Sequence, residues 1–188
     1  GQYPLHSATN IVTVSVTGTN VPFVWSGGGA TNLWSDSANW AGGIPYPGVR
    51  LIFGQPVRQT NVNNAVGSVA WAQFNTNGFS VSGNPITLQS GLTNTGANTW
   101  NIPTTLGAAQ TWVNNGGGEL TVGSPITNGG FTHTLVANGD LRLSAPVAGS
   151  GGLTKSGTAR LLMQGTNTYT GATTISAASG TTSALEIS

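Results

Sequence analysis

Four carboxylates, five lysine and arginine side chains and two histidines carry most of the acid–base chemistry of this 188-residue chain, which contains no cysteine. The absence of cysteine excludes thiolate catalysis, thiolate metal sites and disulfide staples. Paired carboxylates can cleave glycosidic bonds when they lie roughly 5 to 10 Å apart. The acids are Asp36, Glu119, Asp140 and Glu186. Glu119 immediately precedes Leu120 and Asp140 immediately precedes Leu141, so these two recur at one point of a repeat. In stacked coils they would lie one above the other, near the strand spacing of about 4.8 Å. That is the sharpest catalytic arrangement on offer. Against it, Asp140 belongs to an Asn-Gly-Asp turn, and only Arg142, at the neighbouring outward position, is spaced to polarise either acid. Two equivalent corner residues account for the pattern more simply. The pair lacks the dense run of oxygen ligands of a dedicated calcium loop, and His6 and His133 have no partner at metal-ligand spacing. The expectation is a non-enzymatic chain with no metal site and no cofactor.

Aromatic residues offer a different chemistry. Trp25, Trp34, Trp40 and Tyr46 crowd among Gly27-Gly28-Gly29, Gly42-Gly43, Pro45 and Pro47. Exposed rings beside few charges would make a sugar-stacking platform, with Trp25, Trp34 and Trp40 as glycan contacts. Buried rings would instead cap the end of a solenoid, where tryptophan supplies a large apolar area. The cap is the expectation and the platform its alternative.

Composition narrows the partners. Charged residues are 5% of the chain, against roughly 25% in ordinary globular proteins. Apolar residues are not depleted to the level of disorder, and a net charge of +1 cannot hold the chain open. The polar surface must come from Asn, Thr, Ser, Gln and the backbone, and such a weakly charged surface favours association. Five basic residues cannot line a phosphate-tracking groove, so nucleic acid is not an expected partner. No apolar run approaches the roughly 20 residues of a membrane span. Gly1-Gln2-Tyr3-Pro4 has neither the basic start nor the apolar core of a signal peptide, so an exported chain would be in its mature form.

The elements that position these residues read as short strands. Residues 11–17 alternate, with Val12, Val14 and Val16 on one side and Thr13, Ser15 and Thr17 on the other. Period two with β-branched residues predicts a strand with one buried face. It is either the first strand of the domain or an arm that pairs with another subunit by strand addition. Beyond residue 57, Gly, Asn, Thr and Pro interrupt every candidate helix. Leu120-Thr121-Val122, Leu141-Arg142-Leu143 and Leu161-Leu162-Met163 are in-out-in triplets, recurring 21 and then 20 residues apart. Two of them run into the same turn, through Pro125-Ile126 and Pro146-Val147, and Phe53-Gly54-Gln55-Pro56-Val57 shares that shape. Gly-apolar-Thr recurs at Gly91-Leu92-Thr93, Gly130-Phe131-Thr132 and Gly152-Leu153-Thr154. A unit of this length suits one coil of a parallel β-helix, closed by three strands of about 4 to 5 residues plus corners. Asn115-Gly116, Asn128-Gly129 and Asn138-Gly139 suit the corners, and Asn and Thr can stack in ladders between coils.

One stretch carries a family resemblance. Gly151-Gly152-Leu153-Thr154-Lys155, Gly157, Asn167-Thr168-Tyr169-Thr170-Gly171 and Thr173-Thr174-Ile175 resemble the autotransporter-associated β-strand repeat of bacterial surface and secreted proteins. The series Trp25, Trp34, Asn39-Trp40, Gly43, Pro45, Gly48 and Phe53 is similar to a segment that often precedes such repeats. The resemblance implies a parallel β-solenoid outside the cell. It also puts Lys155 on the family's own lysine position, in a turn role, rather than in an isopeptide crosslink to asparagine.

The fold expected is all-β, a parallel β-solenoid. Residues 1–20 form an N-terminal arm or strand, 21–57 a Trp/Gly-rich capping segment and 58–188 the solenoid. The sequence stops at Ala184-Leu185-Glu186-Ile187-Ser188, in mid-strand by pattern. An open edge there could template onto another subunit. The leading functional expectation is a secreted or cell-surface structural subunit that self-assembles end to end into a fibre or sheath. Val12, Val14, Val16, Leu185 and Ile187 are its candidate contacts, and the homo-oligomer its partner. The alternatives are an adhesin that binds surface glycans and a fragment of a larger autotransporter passenger.

Overall fold

The computed structural model of the chain describes residues 21–176 and 184–188. The expected strand at 11–17, with Val12, Val14 and Val16, lies outside the described residues. Within them the chain forms β1 (Pro22–Trp25), β2 (Trp40–Ala41), β3 (Arg50–Phe53), β4 (Thr60–Asn63), β5 (Ser68–Phe74) and β6 (Ser80–Gly83). There follow β7 (Ile86–Asn94), β8 (Asn98–Asn101), β9 (Thr104–Leu106), β10 (Gln110–Asn114), β11 (Leu120–Val122), β12 (Ile126–Thr127) and β13 (His133–Ala137). The last are β14 (Leu141–Leu143), β15 (Val147–Ala148), β16 (Leu153–Ser156), β17 (Leu161–Met163), β18 (Thr173–Ile175) and β19 (Leu185–Ile187). A 3₁₀ turn at Ser37–Asn39 is the one helical element among the described residues.

These strands wind a parallel β-solenoid of about 7 turns. One face stacks β1, β3, β5, β7, β10, β13, β16 and β18; a second stacks β4, β6, β8, β11, β14, β17 and β19. The third is narrower, running from the first halves of β5 and β7 through β9, β12 and β15. The triplets fall in register as their spacing predicts: Leu120, Leu141, Leu161 and Leu185 form one inward column, and Val122, Leu143, Met163 and Ile187 another. Burying each of these side chains from Leu120 to Met163 contributes about 1.5–3 kcal/mol, whereas the last rung leaves Ile187 exposed.

Prolines mark the corner before the third face. Pro85, Pro103, Pro125 and Pro146 stack, and the carbonyls of Pro103, Pro125 and Pro146 accept from the amides of Ile86, Thr104 and Ile126, each at 3.0 Å. Proline suits a place where the ladder needs a carbonyl but no N–H. In the next coil Asn167 takes over, its Oδ1 accepting from the amide of Val147 at 2.9 Å. Two expected equivalences fail. Pro56 follows β3 of the first face, so its turn is a different corner from those at Pro125 and Pro146. The Gly-apolar-Thr marker is likewise no single position: Leu153 pairs with His133 rather than Phe131, and Gly91 pairs with Thr111. Corner lengths vary between coils, so local motifs slip against the register that the buried columns fix.

The interior changes character along the axis. Trp25, Phe53 and Phe74 lead one column, Phe53 and Phe74 stacking at 5.0 Å between ring centroids. The same column continues as Asn94, Asn114 and Ala137. Asn94 and Asn114 are fully buried, and the expected asparagine ladder is present between them. Outside, Thr111, Thr134, Thr154 and Thr174 stack in register.

Candidate functional site

The Trp-rich segment lies inside the N-terminal end. Trp25 and Trp34 are 0% exposed and Trp40 4%. Their rings meet edge to face, Trp25–Trp40 at 5.0 Å and Trp34–Trp40 at 5.5 Å, and both Trp34 and Trp40 reach Phe53. Each indole N–H is used: Trp25 donates to the Val57 carbonyl, Trp34 to Oδ1 of Asn61 and Trp40 to the Trp34 carbonyl. Asn39 ties the loop together, accepting from the Gly29 amide and donating to the carbonyls of Thr31 and Leu33. Asp36 caps the 3₁₀ turn, and hydrogen bonds from the Thr31 amide and hydroxyl hold its carboxyl below the ordinary range. A sugar cannot stack on rings packed this way. Trp25, Trp34 and Trp40 are buried in the core, which corrects the alternative reading of them as glycan contacts.

The acid pair occupies equivalent corners. The Asn98 amide donates to the Glu119 carbonyl and the Leu120 amide to the Asp140 carbonyl one coil further on. Arg160 holds the same place in the coil after that. Arg142 grips Glu119 through two bonds, Nε–Oε1 at 2.8 Å and Nη2–Oε2 at 3.0 Å. Arg160 reaches back to Asp140 and forward to Glu186, both at 3.3 Å. The hydrogen bonds from Arg142 hold the Glu119 carboxyl below its usual range, against partial desolvation and the like charge of Asp140. Arg142 thus pairs with Glu119 across coils, and the carboxylates are held in an ion-pair ladder. Arg160, one residue before a triplet like both acids, was the legible signal for that ladder.

Two ionisable groups face inward. His133 is 0% exposed, and neither ring nitrogen has a hydrogen-bond partner among the described residues. Its ring stands edge to face with Trp112 at 4.6 Å, and burial pulls its pKa down to about 3. His6 lies outside the described residues. Lys155 follows Leu135 in the inward column of β16, fully buried rather than outward, and its Nζ donates to the carbonyls of Ser156 and Gly157 at 3.0 and 2.9 Å. It therefore does serve a turn, from within the core. Desolvation lowers its pKa.

On the outer surface of the first face, Arg50 and Trp71 pair in register, with the Arg50 guanidinium carbon 4.6 Å from the indole centroid. Arg50, Ala70, Trp71 and Ser90 line an open cleft of about 420 Å3. A register shift between Val69 and Trp71 creates it: Ala70 and Trp71 both point outward before alternation resumes at Ala72. Sequence patterning from Val69 alone would turn Trp71 inward. Pattern read backwards from Phe74 and Ala72 turns it outward, and that conflict was the signal.

At the far end, β18 and β19 each pair on one side only among the described strands. Ile175 is 51% exposed and Ile187 66%, and Leu185 is partly buried against the core. A cleft of about 480 Å3 opens there beside Asn167, Tyr169, Thr173 and Ile187. No family model matches the chain, and neither the curated proteins nor the solved structures compared with it contain a match.

Proposed function

We propose that the chain is a structural β-solenoid of the cell surface or extracellular space, which joins end to end with further copies of itself. The observation that carries this reading is the contrast between the two described ends. The N-terminal end is plugged by the Trp25, Trp34 and Trp40 cluster and by the antiparallel strand β2. In the last described rung, β18 and β19 pair on one side only among the described strands, and Ile175 and Ile187 are exposed. An exposed parallel edge is a template for another strand, and unlike ends make a head-to-tail contact that extends rather than closes. The low charge, with a net of +1, leaves little repulsion against such stacking. The extracellular placement and the autotransporter-type repeat rest on the sequence resemblance in residues 151–177.

Electron microscopy and sedimentation of the purified chain test the proposal. Fibres or oligomers should form in the parent and be lost in Ile187→Lys and Ile175→Lys while circular dichroism stays unchanged. A chain that remains monomeric at high concentration, or assembles equally well with both substitutions, would sink it.

A further inference from the structure

The chain contains the Asn-Gly pairs Asn77-Gly78, Asn115-Gly116, Asn128-Gly129 and Asn138-Gly139. A glycine after asparagine leaves its own amide nitrogen sterically open to attack the asparagine side chain. From the corner between β10 and β11 we infer that Asn115 is a site of spontaneous deamidation, and that the fold protects the other three asparagines. The inference does not depend on end-to-end assembly.

The reaction is a self-modification. The backbone nitrogen of Gly116 gives up its proton to solvent base and attacks Cγ of Asn115. The bond from Cγ to Nδ2 breaks, ammonia leaves, and a five-membered succinimide closes. Water then opens the ring at either carbonyl, giving aspartate from one and isoaspartate from the other. Attack needs an untethered side chain, a releasable amide nitrogen and a backbone that can turn.

Asn115 meets all three conditions. It is exposed, and its side-chain amide makes no hydrogen bond among the described residues. The Gly116 amide is held by one long bond, 3.4 Å to Oδ1 of Asn114. Gly116, Gly117 and Gly118 follow in a row, the first two at φ +99° and +78°, so no side chain restricts the turn. A Cβ at Gly116 would find only the Asn138 carbonyl oxygen nearby, at 3.8 Å, so the ring has room to close.

Each of the other pairs fails a condition. Asn138 stands one coil on at the equivalent corner, but the Gly139 amide donates to the Asn114 carbonyl at 3.1 Å. A Cβ at Gly139 would also lie 2.7 Å from Cα of Gly116, so that backbone is packed in place. The Gly78 amide donates to the Ala97 carbonyl at 2.8 Å. Asn128 is buried, and its side chain both donates to the Gly151 carbonyl and accepts from the Gly151 amide. These bonds must open before the nitrogen and Cγ can meet.

The product alters the corner. One conversion replaces a neutral amide by a carboxylate, which takes the formal net charge from +1 to zero. Isoaspartate also adds a methylene to the backbone beside Asn114, whose side chain bridges neighbouring coils.

The test is incubation of the full chain in warm, mildly alkaline buffer, followed by peptide mapping. Electron-transfer fragmentation separates aspartate from isoaspartate at each position. The folded chain should convert Asn115 at least about tenfold faster than Asn77, Asn128 or Asn138, the factor set by holding a reacting group in a hydrogen bond. In denaturant the four sites should convert at similar rates, because all share the Asn-Gly sequence. Asn115→Gln, which would need a slower six-membered ring, should remove the early acidic species and leave circular dichroism unchanged. Equal rates at the four sites of the folded chain, a faster site elsewhere, or an Asn115 that converts only in denaturant would overturn the inference.

Discussion

Asn94 and Asn114 sit one coil apart inside the solenoid, and Nδ2 of Asn94 donates to Oδ1 of Asn114 at 2.9 Å. Asn114 in turn donates to the carbonyls of Gly118 and Asp140, so one amide links three coils at the corner between the first and second faces. Removing it strands buried polar groups on either side. Asn114→Ala should therefore lower unfolding stability by about 1–3 kcal/mol, the range for unsatisfied buried hydrogen-bonding groups. Urea unfolding followed by circular dichroism measures this. Asn114→Leu should not rescue it, although leucine restores the volume.

His133 makes the core sensitive to acid. Its folded pKa of about 3 lies below the ordinary 6.5. Between these values the unfolded chain binds a proton that the folded one does not, so stability falls as pH falls, by up to about 1.4 kcal/mol per pH unit. Above pH 6.5 this contribution is fully present. His133→Phe keeps a ring beside Trp112 and should flatten the dependence between pH 6.5 and 3. Parallel unfolding series at stepped pH compare the two chains, with the carboxylates common to both.

The Glu119–Arg142 pair should matter little at the same level. Both side chains are about 30% exposed, and pairs of this kind contribute about 0–1 kcal/mol. Glu119→Gln should change stability by no more than that, with the difference shrinking as salt is raised. Because pairing depresses the Glu119 pKa, the contribution is present above the ordinary carboxylate pKa and is lost as pH falls through the lowered one. Unfolding in low and high salt separates the two outcomes.

Trp40 is the hub of the N-terminal cap, in edge contact with Trp25, Trp34 and Phe53. Trp40→Ala should cost about 3–5 kcal/mol through the cavity it leaves. The thermal midpoint should drop, and amide exchange should accelerate first in β1 and β3.

Gly91→Ala probes the backbone beneath the Arg50–Trp71 cleft. Positive φ and a clash with the Thr111 carbonyl act together, at a cost of about 2–3 kcal/mol. Loss of protection at the β7–β10 pairing in hydrogen exchange would locate the damage.

The sequence by itself determined the solenoid. Period-two alternation, recurrent triplets of leucine, any residue and a second apolar residue, and Asn-Gly corners are local signals, and each coil repeats the same local problem. The equivalence of Glu119 and Asp140 was legible for the same reason, because both are tied by one residue to a triplet. Only the tertiary structure decided which groups face which. Corner lengths differ from coil to coil, so the pairing of Leu153 with His133, the stack of four prolines and the ion pairs of Arg160 depend on where each coil closes. A register irregularity between β5 and β7, with one extra residue on the β7 side, accompanies the outward turn of Trp71, while packing at the end of the stack turned Trp25, Trp34 and Trp40 in. Alternation says that a side chain has a face. Register, summed over every turn before it, says whether that face meets the core or the solvent.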